Sequence, residues 1–445
     1  MNFTNKKIGI WGLGIVGKAA LKFFSKYTSA ITIMDKKELS EIDRALIQKY
    51  NGNFIPQTDA AHFFIDNDFI IASPGINTLA YHEYRHKFIT ELDIIHQAIK
   101  KPIIAITGTI GKTSITHILS TCIAHHELVI TGGNIGIGML ELIEKQEQYS
   151  RIVLEVSSFQ LEQCTQFAPQ LAIWTNFYPN HLDRHPSIEE YFNAKSKILA
   201  YQNELHSALL PLELAPHIQN KNYKAQIHFF CPEKPADEIL YTLPATSLVF
   251  WPQATTIMCC NQQIIQPIGS LNQQGTFPIN WLIIQAALYI LEMPQPKDAH
   301  IPIPEHRIEK IAEYAGIEFY NDSKSTIMES TIAAVHKLQP KPIILLLGGL
   351  SKGADRASKI KELEHTIKYI ITFGAESASL QQAAQHYAIP NCAVTTLQEA
   401  VHYAYSIAQP GDQILLSPGG SSYDQFSDYK ERGNQFKTII QNIIR

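Results

Sequence analysis

The chain has 445 residues, of which 45% are hydrophobic and 18% are charged, and its formal net charge is -4 at pH 7. This length exceeds one average domain, and the composition is typical of a globular protein that buries sizeable cores. The weakly acidic balance and the absence of a long Lys or Arg run argue against nucleic acid as a partner. No apolar run approaches the length of a bilayer-spanning helix, so we also expect no membrane partner.

The first 100 residues alternate predicted strands with helical patterns. Apolar strands are predicted at residues 7–11, 30–34 and 69–72. The first strand leads into GLGIVG, whose Gly12, Gly14 and Gly17 are typical of a phosphate-binding turn at the start of a helix. Asp35 ends the second strand about 20 residues later, where such folds place a ribose acceptor. Alternating strands and helices predict a parallel sheet of Rossmann type.

The next segment carries a second phosphate-binding pattern. The apolar strand 103–107 is followed by GTIGKTS at 108–114 and then by a helix. Glycines let the backbone wrap a phosphate, Lys112 could reach the outer phosphates, and the Thr113 hydroxyl could bind Mg²⁺. The full GxxxxGK[ST] pattern requires glycine at position 106, which is Ile106. The alternative is therefore a glycine-rich turn that contains a lysine by chance.

Further strands complete the predicted fold. They lie at 152–156, 171–175, 317–320, 343–349, 370–374 and 413–420. We predict an α/β protein of three domains: a Rossmann-like N-terminal domain (1–100), a central P-loop ATPase-type domain (101–301) and a C-terminal Rossmann-like α/β domain (302–445). Pro302 and Pro304 indicate the second linker. We assign no function to residues 201–275, which are rich in Gln, Asn and Pro.

Several motifs, in their order, carry a resemblance to a known family. They are SPGI (73–76), GTIGKTS (108–114), GGNIG (132–136), LEVSSFQLE (154–162), NHLDRH (180–185), YFNAKSKI (191–198), EHR (305–307), NDSKST (321–326), LLGGLSKGAD (346–355) and SPGGSSYDQFSDYKERGNQF (417–436). In these motifs the chain resembles the Mur ligase family, over nearly its whole length except 201–275. The last motif is most similar to the members that add D-glutamate.

The resemblance implies a cytoplasmic, monomeric ligase of peptidoglycan precursor synthesis. Its small-molecule substrates would be ATP, UDP-N-acetylmuramoyl-L-alanine and D-glutamate, with an acyl phosphate and a tetrahedral intermediate on the path. The two phosphate-binding loops are consistent with two bound nucleotides, one cleaved to drive the reaction and one that is part of the substrate. Two alternatives stay open: a sibling ligase with another amino acid or a folate-type acceptor, and a homologue that has lost catalysis.

The resemblance also assigns roles to residues of the ATP and metal site. The expected nucleotide contacts are Gly108, Thr109, Gly111, Lys112, Thr113, Ser114, Asn280, Arg307 and Asp322. The expected ligands of two Mg²⁺ ions are Thr113, Glu155, His181 and Lys195, with Lys195 converted to a carbamate by CO₂. The expected catalytic residues are Lys112, Glu155, His181, Lys195 and Lys324. The alternatives are a hydrogen-bonded loop histidine for His181 and a solvated helix lysine for Lys195.

Two further groups of residues correspond to the family's substrate contacts. The first substrate would contact Gly14, Ile15, Asp35, Lys36, Ser73 and Asn134. The incoming D-glutamate would contact Thr326, Lys352, Ser422 and Tyr429. Ser422 and Tyr429 could instead be ordinary loop residues.

The sequence departs from the family pattern near the expected nucleotide. The family has HNxxN before an alanine-containing helix, and here only Asn280 is kept, since Ile279 and Ile283 replace the other two polar residues. Ile110 and Ile327 stand where Asn is common. These changes predict an altered or weaker adenine site within an unchanged fold.

Overall fold

A computed structural model describes residues 1–262, 264–271, 276–294 and 304–445. Three sheets with helices between their strands make an α/β protein, as predicted. The described residues divide into two compact units. The first unit contains Met1–Phe177 and the described part of Glu189–Ile301, and the second contains Tyr178–Ile188 and the described part of Pro302–Arg445. Within the described ranges, every helix is too short or too polar to span a bilayer.

The elements are numbered in chain order. The strands are β1 (Ile8–Trp11), β2 (Ile31–Asp35), β3 (Asn53–Pro56), β4 (Phe69–Ala72), β5 (Ile103–Thr107), β6 (Val129–Gly133), β7 (Arg151–Glu155), β8 (Leu171–Trp174), β9 (Ser207–Pro211), β10 (Gln226–Phe230), β11 (Leu248–Gln253), β12 (Thr256–Asn261), β13 (Ile265–Ser270), β14 (Glu309–Tyr314), β15 (Ile317–Asn321), β16 (Ile343–Gly348), β17 (Tyr369–Phe373), β18 (Asn391–Ala393) and β19 (Gln413–Leu416). The α-helices are α1 (Ile15–Phe24), α2 (Glu41–Lys49), α3 (Ala60–Asp66), α4 (Glu91–Ala98), α5 (Lys112–Ala124), α6 (Met139–Lys145), α7 (Ser158–Glu162), α8 (Ile188–Ala200), α9 (Ala215–Ile218), α10 (Asp237–Thr242), α11 (Pro278–Ile290), α12 (Met328–Leu338), α13 (Ser377–His386), α14 (Leu397–Ile407) and α15 (Tyr429–Ile444). Short 3-10 stretches lie at Gln57–Asp59, Leu79–Lys87, Gln146–Gln148, Leu212–Leu214 and Ser358–Leu363.

The N-terminal sheet is parallel, with the strand order β3-β2-β1-β4. The predictions of β1, β2 and β4 are confirmed, since these apolar runs form strands that are mostly buried. The edge strand β3 was not predicted, because its residues are only partly buried or exposed and give no apolar run. The carboxyl ends of parallel strands share one edge of the sheet, so the GLGIVG turn, Asp35 and Ser73 lie at that edge.

The central sheet has nine strands in the order β13-β12-β11-β10-β9-β8-β5-β7-β6. The predicted strands β5, β7 and β8 lie side by side, because their continuous apolar runs are buried on both faces. Residues 201–275, which the sequence analysis left without a function, supply β9 to β13 and extend this sheet. Strands β9 and β10 continue the parallel order, whereas β12 pairs antiparallel with both β11 and β13.

The first two sheets are packed together within the first unit. Helix α6 follows a strand of the central sheet, yet its Leu140 lies in the core of the N-terminal sheet. Asp93 of α4 is fully buried, and its carboxylate accepts hydrogen bonds from the Thr165 (2.7 Å) and Gln166 (3.0 Å) amides. The predicted domain boundary at 100/101 therefore falls inside one compact unit, and it stays a prediction.

The second unit contains a six-stranded sheet of order β14-β15-β19-β16-β17-β18. All its strands are parallel except β14, which pairs antiparallel with β15 at the edge. The predicted strands β15, β16, β17 and β19 are confirmed. The predicted linker residue Pro302 lies outside the described residues, and Pro304 lies at the start of the described part of this unit.

The segment 178–188, which the sequence analysis placed in the central domain, packs with the second unit. Gly353 allows this approach: its φ is +81°, and a Cβ there would stand 3.2 Å from the Leu182 Cβ and 3.3 Å from the Asp183 amide nitrogen. A larger residue would be strained in this conformation and would push the segment away.

A buried histidine in β10 predicts a loss of stability in acid. His228 is 4% exposed, and its Nδ1 accepts a hydrogen bond from the Leu248 amide at 3.1 Å. Burial lowers the pKa of His228 from 6.5 to about 4. The unfolded chain therefore binds more protons between these values, and stability falls as the pH drops from 6.5 towards 4.

We expect this histidine alone to remove about 2 kcal/mol of unfolding free energy between pH 7.5 and pH 5. His228→Gln keeps an acceptor without the titration, so its stability should change less over that interval. All four tryptophans (Trp11, Trp174, Trp251 and Trp281) lie in the first unit, and urea unfolding followed by tryptophan fluorescence reports on it. Parallel pH profiles for the two proteins would contradict the assignment.

Candidate functional site

The turn between β5 and α5 has the shape of a phosphate-binding loop. Gly108 has a φ of +144°, and a Cβ there would lie 2.0 Å from the Thr175 hydroxyl oxygen, so only glycine fits. The Lys112 ammonium donates to the carbonyl oxygens of Gly108 (2.9 Å) and Thr109 (3.0 Å). The N-terminus of α5, which includes Ser114 in its first turn, adds the partial positive charge that favours an anion.

Asn176, which the sequence analysis did not single out, follows β8 and fixes this loop through hydrogen bonds. Its side-chain oxygen accepts from the amides of Thr109 (3.1 Å) and Ile110 (2.9 Å), and its amide group donates to the Ile110 carbonyl at 3.0 Å. The sequence feature that could have indicated Asn176 as a site residue is the polar pair Thr175-Asn176 directly after an apolar strand. Side chains there reach the same sheet edge as the loop that follows β5.

Glu155 brings a buried carboxylate to the same edge, as predicted from its place at the end of β7. It is 2% exposed, and its carboxylate accepts from the Thr113 hydroxyl and from the Asn134 amide, both at 2.8 Å. Both partners are neutral, and among the described residues no Lys or Arg forms an ion pair with Glu155. A buried anion with only neutral donors is costly and favours a bound cation.

Lys195 and Lys197 are two positions apart on α8 and point to different places. The fully buried Lys195 ammonium donates to the Gly108 carbonyl at 2.7 Å and lies 4.7 Å from the centroid of the Tyr191 ring. The Lys197 ammonium instead donates to the Glu162 carbonyl at 2.6 Å. Burial, with a smaller contribution from the charge of Lys112, lowers the pKa of Lys195 well below its ordinary value. A neutral amine is therefore accessible at this position.

His181 lies on the segment 178–188 of the second unit, so it belongs to a different compact unit from Thr113, Glu155 and Lys195. Its φ is +58°, and its amide donates to the Asn180 side chain at 2.9 Å. Within the described residues, no group of three His, Cys, Asp or Glu side chains is arranged to hold a metal ion. The role of His181 as a metal ligand stays a prediction.

The expected contacts of the first substrate surround the GLGIVG turn. Ile15 begins α1 after Gly14 and is 89% exposed, so it is accessible to a ligand. The Asp35 carboxylate accepts from the Leu13 amide (2.7 Å) and the Lys37 amide (2.9 Å), next to the exposed Lys36. Ser73 donates from its hydroxyl to the Gly12 carbonyl at 2.9 Å. In this structure Asp35 and Ser73 hold the turn, and their contacts with a substrate stay predictions.

In the second unit, Asp322 is the centre of a buried hydrogen-bond network. Its carboxylate accepts from the Ile308 amide (3.2 Å), from the Ser417 hydroxyl (2.8 Å) and from the Ser325 hydroxyl. Burial raises the pKa of Asp322 to about 6, opposed by the charge of Arg307. The network joins the EHR segment to NDSKST and to the turn after β19, whatever further contact Asp322 makes with a nucleotide.

The other predicted residues of the second unit lie on turns that follow adjacent parallel strands. Thr326 and Lys324 follow β15, Lys352 follows β16 and Ser422 follows β19, so one sheet edge gathers all four. The Lys324 ammonium lies 5.1 Å from the centroid of the Tyr429 ring. Burial lowers the pKa of Lys352, and the nearby Asp183 opposes this effect.

The departures around α11 change the surface beside the phosphate-binding loop. Asn280 lies against this loop: its side-chain oxygen is 3.1 Å from the position that a Cβ of Gly111 would take. The Asn280 amide donates to the Thr276 hydroxyl at 3.0 Å. Ile283 is 1% exposed and packs in the core, together with the partly buried Ile279. These two positions therefore present no polar group to a nucleotide base.

The residues of the first unit fit ATP and Mg²⁺. The loop 108–111 leads into the N-terminus of α5, and Lys112 can move from its own loop carbonyls to a phosphate. The Thr113 hydroxyl and the Glu155 carboxylate are hard oxygen ligands held 2.8 Å apart, which suits Mg²⁺. The sheets and this loop together define an α/β nucleotide-binding protein of the P-loop type.

Comparisons with known proteins identify the family. Residues 106–258 match the Mur ligase middle domain, and residues 306–420 match the domain described as "Mur ligase, glutamate ligase domain". A relative from Elusimicrobium minutum, named UDP-N-acetylmuramoylalanine--D-glutamate ligase, is 31% identical over 461 residues and covers 99% of each chain. One of the same name from Oleidesulfovibrio alaskensis is 30% identical over 442 residues, covering 96% of this chain and 92% of its own. The chain belongs to the Mur ligase family.

Solved structures share the fold. The pseudomurein peptide ligase type C of Methanothermus fervidus gives a TM-score of 0.57 at 17% identity, covering 99% of this chain and all (100%) of its own. The MurF ligase of Thermotoga maritima in complex with ADP gives a TM-score of 0.58 at 13% identity, covering 99% of each chain. At these identities the likeness extends to the fold alone.

The geometry of the loop predicts the effect of removing Lys112. We expect Lys112→Ala to lower ATP-dependent phosphate release about a hundredfold or more, since the ammonium would neutralise charge that develops on the transferred phosphoryl group. The fold should persist, because the hydrogen bonds that the lysine donates to the Gly108 and Thr109 carbonyls both lie within its own loop. Lys145→Ala, which removes an exposed ion pair with Glu141, is the control. Unchanged kinetics in Lys112→Ala would show that ATP binds elsewhere.

Proposed function

We propose that this chain is an ATP-dependent ligase that joins D-glutamate to UDP-N-acetylmuramoyl-L-alanine in peptidoglycan precursor synthesis. The observation that carries the proposal is the buried Glu155 carboxylate, held by Thr113 and Asn134 beside the phosphate-binding loop. The sequence identity and the nearly full-length match with relatives named as D-glutamate ligases support the choice of amino acid. A cytoplasmic, monomeric enzyme stays our prediction.

In the first step, a carboxylate oxygen of the L-alanine moiety attacks the γ-phosphorus of ATP, and the bond to ADP breaks. The product is an acyl phosphate. Both reactants are anions, so the barrier is largely charge repulsion. Lys112 would contact the outer phosphates, while Thr113 and Glu155 would hold Mg²⁺, which neutralises phosphate charge when bound.

In the second step, the amine of D-glutamate attacks the acyl carbon and forms a tetrahedral intermediate, which expels phosphate. The amine must lose a proton, and the two carboxylates of the amino acid must be held. We assign the carboxylates to Lys352, Thr326, Ser422 and the start of α15 at Tyr429. Arg307 and Asp322 are assigned to ATP, and Lys324 to the reacting groups.

We further propose that Lys195 carries a carbamate. The ammonium would first lose one proton, and the neutral Nζ would then bond to CO₂ with loss of a second proton, so a cation becomes an anion suited to a second Mg²⁺ ion. The support is that the Lys195 ammonium is buried, has a carbonyl as its hydrogen-bond acceptor, and forms no ion pair among the described residues. The lowered pKa of Lys195 provides the neutral amine that the addition requires.

The proposed activity predicts a defined substrate preference. Purified protein with ATP, Mg²⁺ and UDP-N-acetylmuramoyl-L-alanine should release phosphate with D-glutamate at a rate about a hundredfold or more above that with L-glutamate, L-lysine or glycine. Mass spectrometry of the nucleotide product identifies the amino acid added. Preference for another amino acid would make the chain a sibling ligase, and no product with any of them would favour a homologue without catalysis.

A pair of lysines on one helix tests the carbamate. We expect Lys195→Ala to lower the rate about a hundredfold, and a short carboxylic acid to restore part of it, because the carbamate supplies an anion. Lys197→Met keeps the side-chain stem and should retain activity within about threefold, since Lys197 contacts other carbonyls. Nuclear magnetic resonance with ¹³C-labelled CO₂ should show a carbamate signal in the wild type and in Lys197→Met. A wild type without this signal would overturn the assignment.

A further inference from the structure

The side chain of Arg432 on α15 is fully buried, with 0% exposure. Its Nε donates to the Ser323 hydroxyl (3.1 Å), its Nη2 to the Ser323 carbonyl (2.8 Å) and its Nη1 to the Gly420 carbonyl (3.1 Å). All three acceptors are neutral, and among the described residues no carboxylate forms an ion pair with Arg432. Burying a cation is costly, and the nearby charges of Asp424 and Asp322 offset only part of this cost, so Arg432 depends on these hydrogen bonds for its position.

The first turns of α15 contact two other segments of the site. The Tyr429 carbonyl accepts from the Ser323 hydroxyl at 2.8 Å, and the Gly433 carbonyl accepts from the Asn321 side chain at 3.2 Å. A Cβ on Gly433 would stand only 2.3 Å from the His306 Nδ1, so glycine lets the EHR segment approach the helix. Arg432 lies between Tyr429 and Gly433 on the helix. Its hydrogen bond to the Gly420 carbonyl connects the turn after β19 to the same region.

A second buried arginine holds the neighbouring turns. Arg356 donates from Nη1 to the Gly349 carbonyl and from Nη2 to the carbonyls of Gly348 and Pro418, each at 2.8 Å. The turns after β16 and β19 also bond to each other through Leu350 and Ser421. Lys352 and Ser422 therefore lie on one connected framework, and Arg432 joins that framework to the NDSKST turn.

We propose that Arg432 is a positioning residue that fixes the distance between the NDSKST turn, with Lys324 and Thr326, and the turn that carries Ser422. This spacing would set the affinity for the incoming dicarboxylate amino acid, and the proposal rests on the proposed function. The planar guanidinium donates to both turns from three separate nitrogens in a fixed fork, whereas a lysine ammonium has all its donors on one nitrogen.

A change at Arg432 should weaken binding of the amino acid rather than binding of ATP. Asp322, the residue assigned to ATP on the same turn, is held independently by the Ile308 amide and by the hydroxyls of Ser325 and Ser417. These bonds do not involve Arg432. A shift of the turn at Ser422 relative to Lys324 changes the distance that separates the two carboxylate contacts of the amino acid.

The test compares Arg432→Lys with the wild-type enzyme in steady-state kinetics. We expect the KM for D-glutamate to rise about tenfold or more, with kcat lowered less, while the KM values for ATP and for the nucleotide substrate stay within about twofold. The matched control is Phe436→Leu, one turn further along α15, where a fully buried ring packs in the core cluster. It should lower the melting temperature and leave the KM for D-glutamate unchanged.

If Arg432→Lys does not fold, Ser323→Ala tests the positioning role of Arg432. It removes the hydroxyl that accepts from Arg432 and donates to Tyr429, so the KM for D-glutamate should rise about threefold. An unchanged KM for D-glutamate in the variant that folds, an equal rise in all KM values, or an equal rise in Phe436→Leu would overturn the proposal. A wild type that does not use D-glutamate would instead defeat the proposed function, so the two failures are distinguishable.

Discussion

The carbonyl oxygen of Gly108 accepts hydrogen bonds from two lysine ammonium groups, Lys112 at 2.9 Å and Lys195 at 2.7 Å. The Gly108 backbone can present this oxygen because its φ of +144° and its contact with Thr175 exclude any side chain. Two cations on one acceptor repel each other, and burial adds to the cost. Burial and the neighbouring charge of Lys112 lower the pKa of Lys195, so the arrangement favours loss of the Lys195 charge and leaves Lys112 as the cation for a polyphosphate.

The second unit also buries charged side chains, here one anion and one cation. Asp322 is held by hydroxyl and amide donors, and Arg432 by carbonyl and hydroxyl acceptors. Neutral partners fix the position of a charge without cancelling its field, because hydrogen bonds orient the group while its net charge remains.

Both units place their polar residues where parallel strands end. In the central sheet β5, β7 and β8 are neighbours, so the phosphate-binding loop, Glu155 and Asn176 meet at one edge. In the second unit β15, β19 and β16 are neighbours and gather the turns of Asp322, Ser422 and Lys352. Strand order thus converts positions far apart in the chain into neighbours, and the apolar strands supply the rigidity that a precise site requires.

The sequence by itself determined most of the strands, the phosphate-binding loop and the buried carboxylate beside it. Continuous apolar runs can be stable only as buried strands, and glycine with lysine at the start of a helix favours a phosphate, so β5, GTIGKTS and Glu155 were predictable. Partly exposed edge strands such as β3 gave no signal, because their burial depends on neighbours. The tertiary structure alone decided that the Lys195 ammonium contacts the Gly108 carbonyl, that 178–188 packs with the second unit, and that Arg432 is buried. The physical reason is that direction and burial are set by strand order and by contacts between distant segments, which no local pattern encodes.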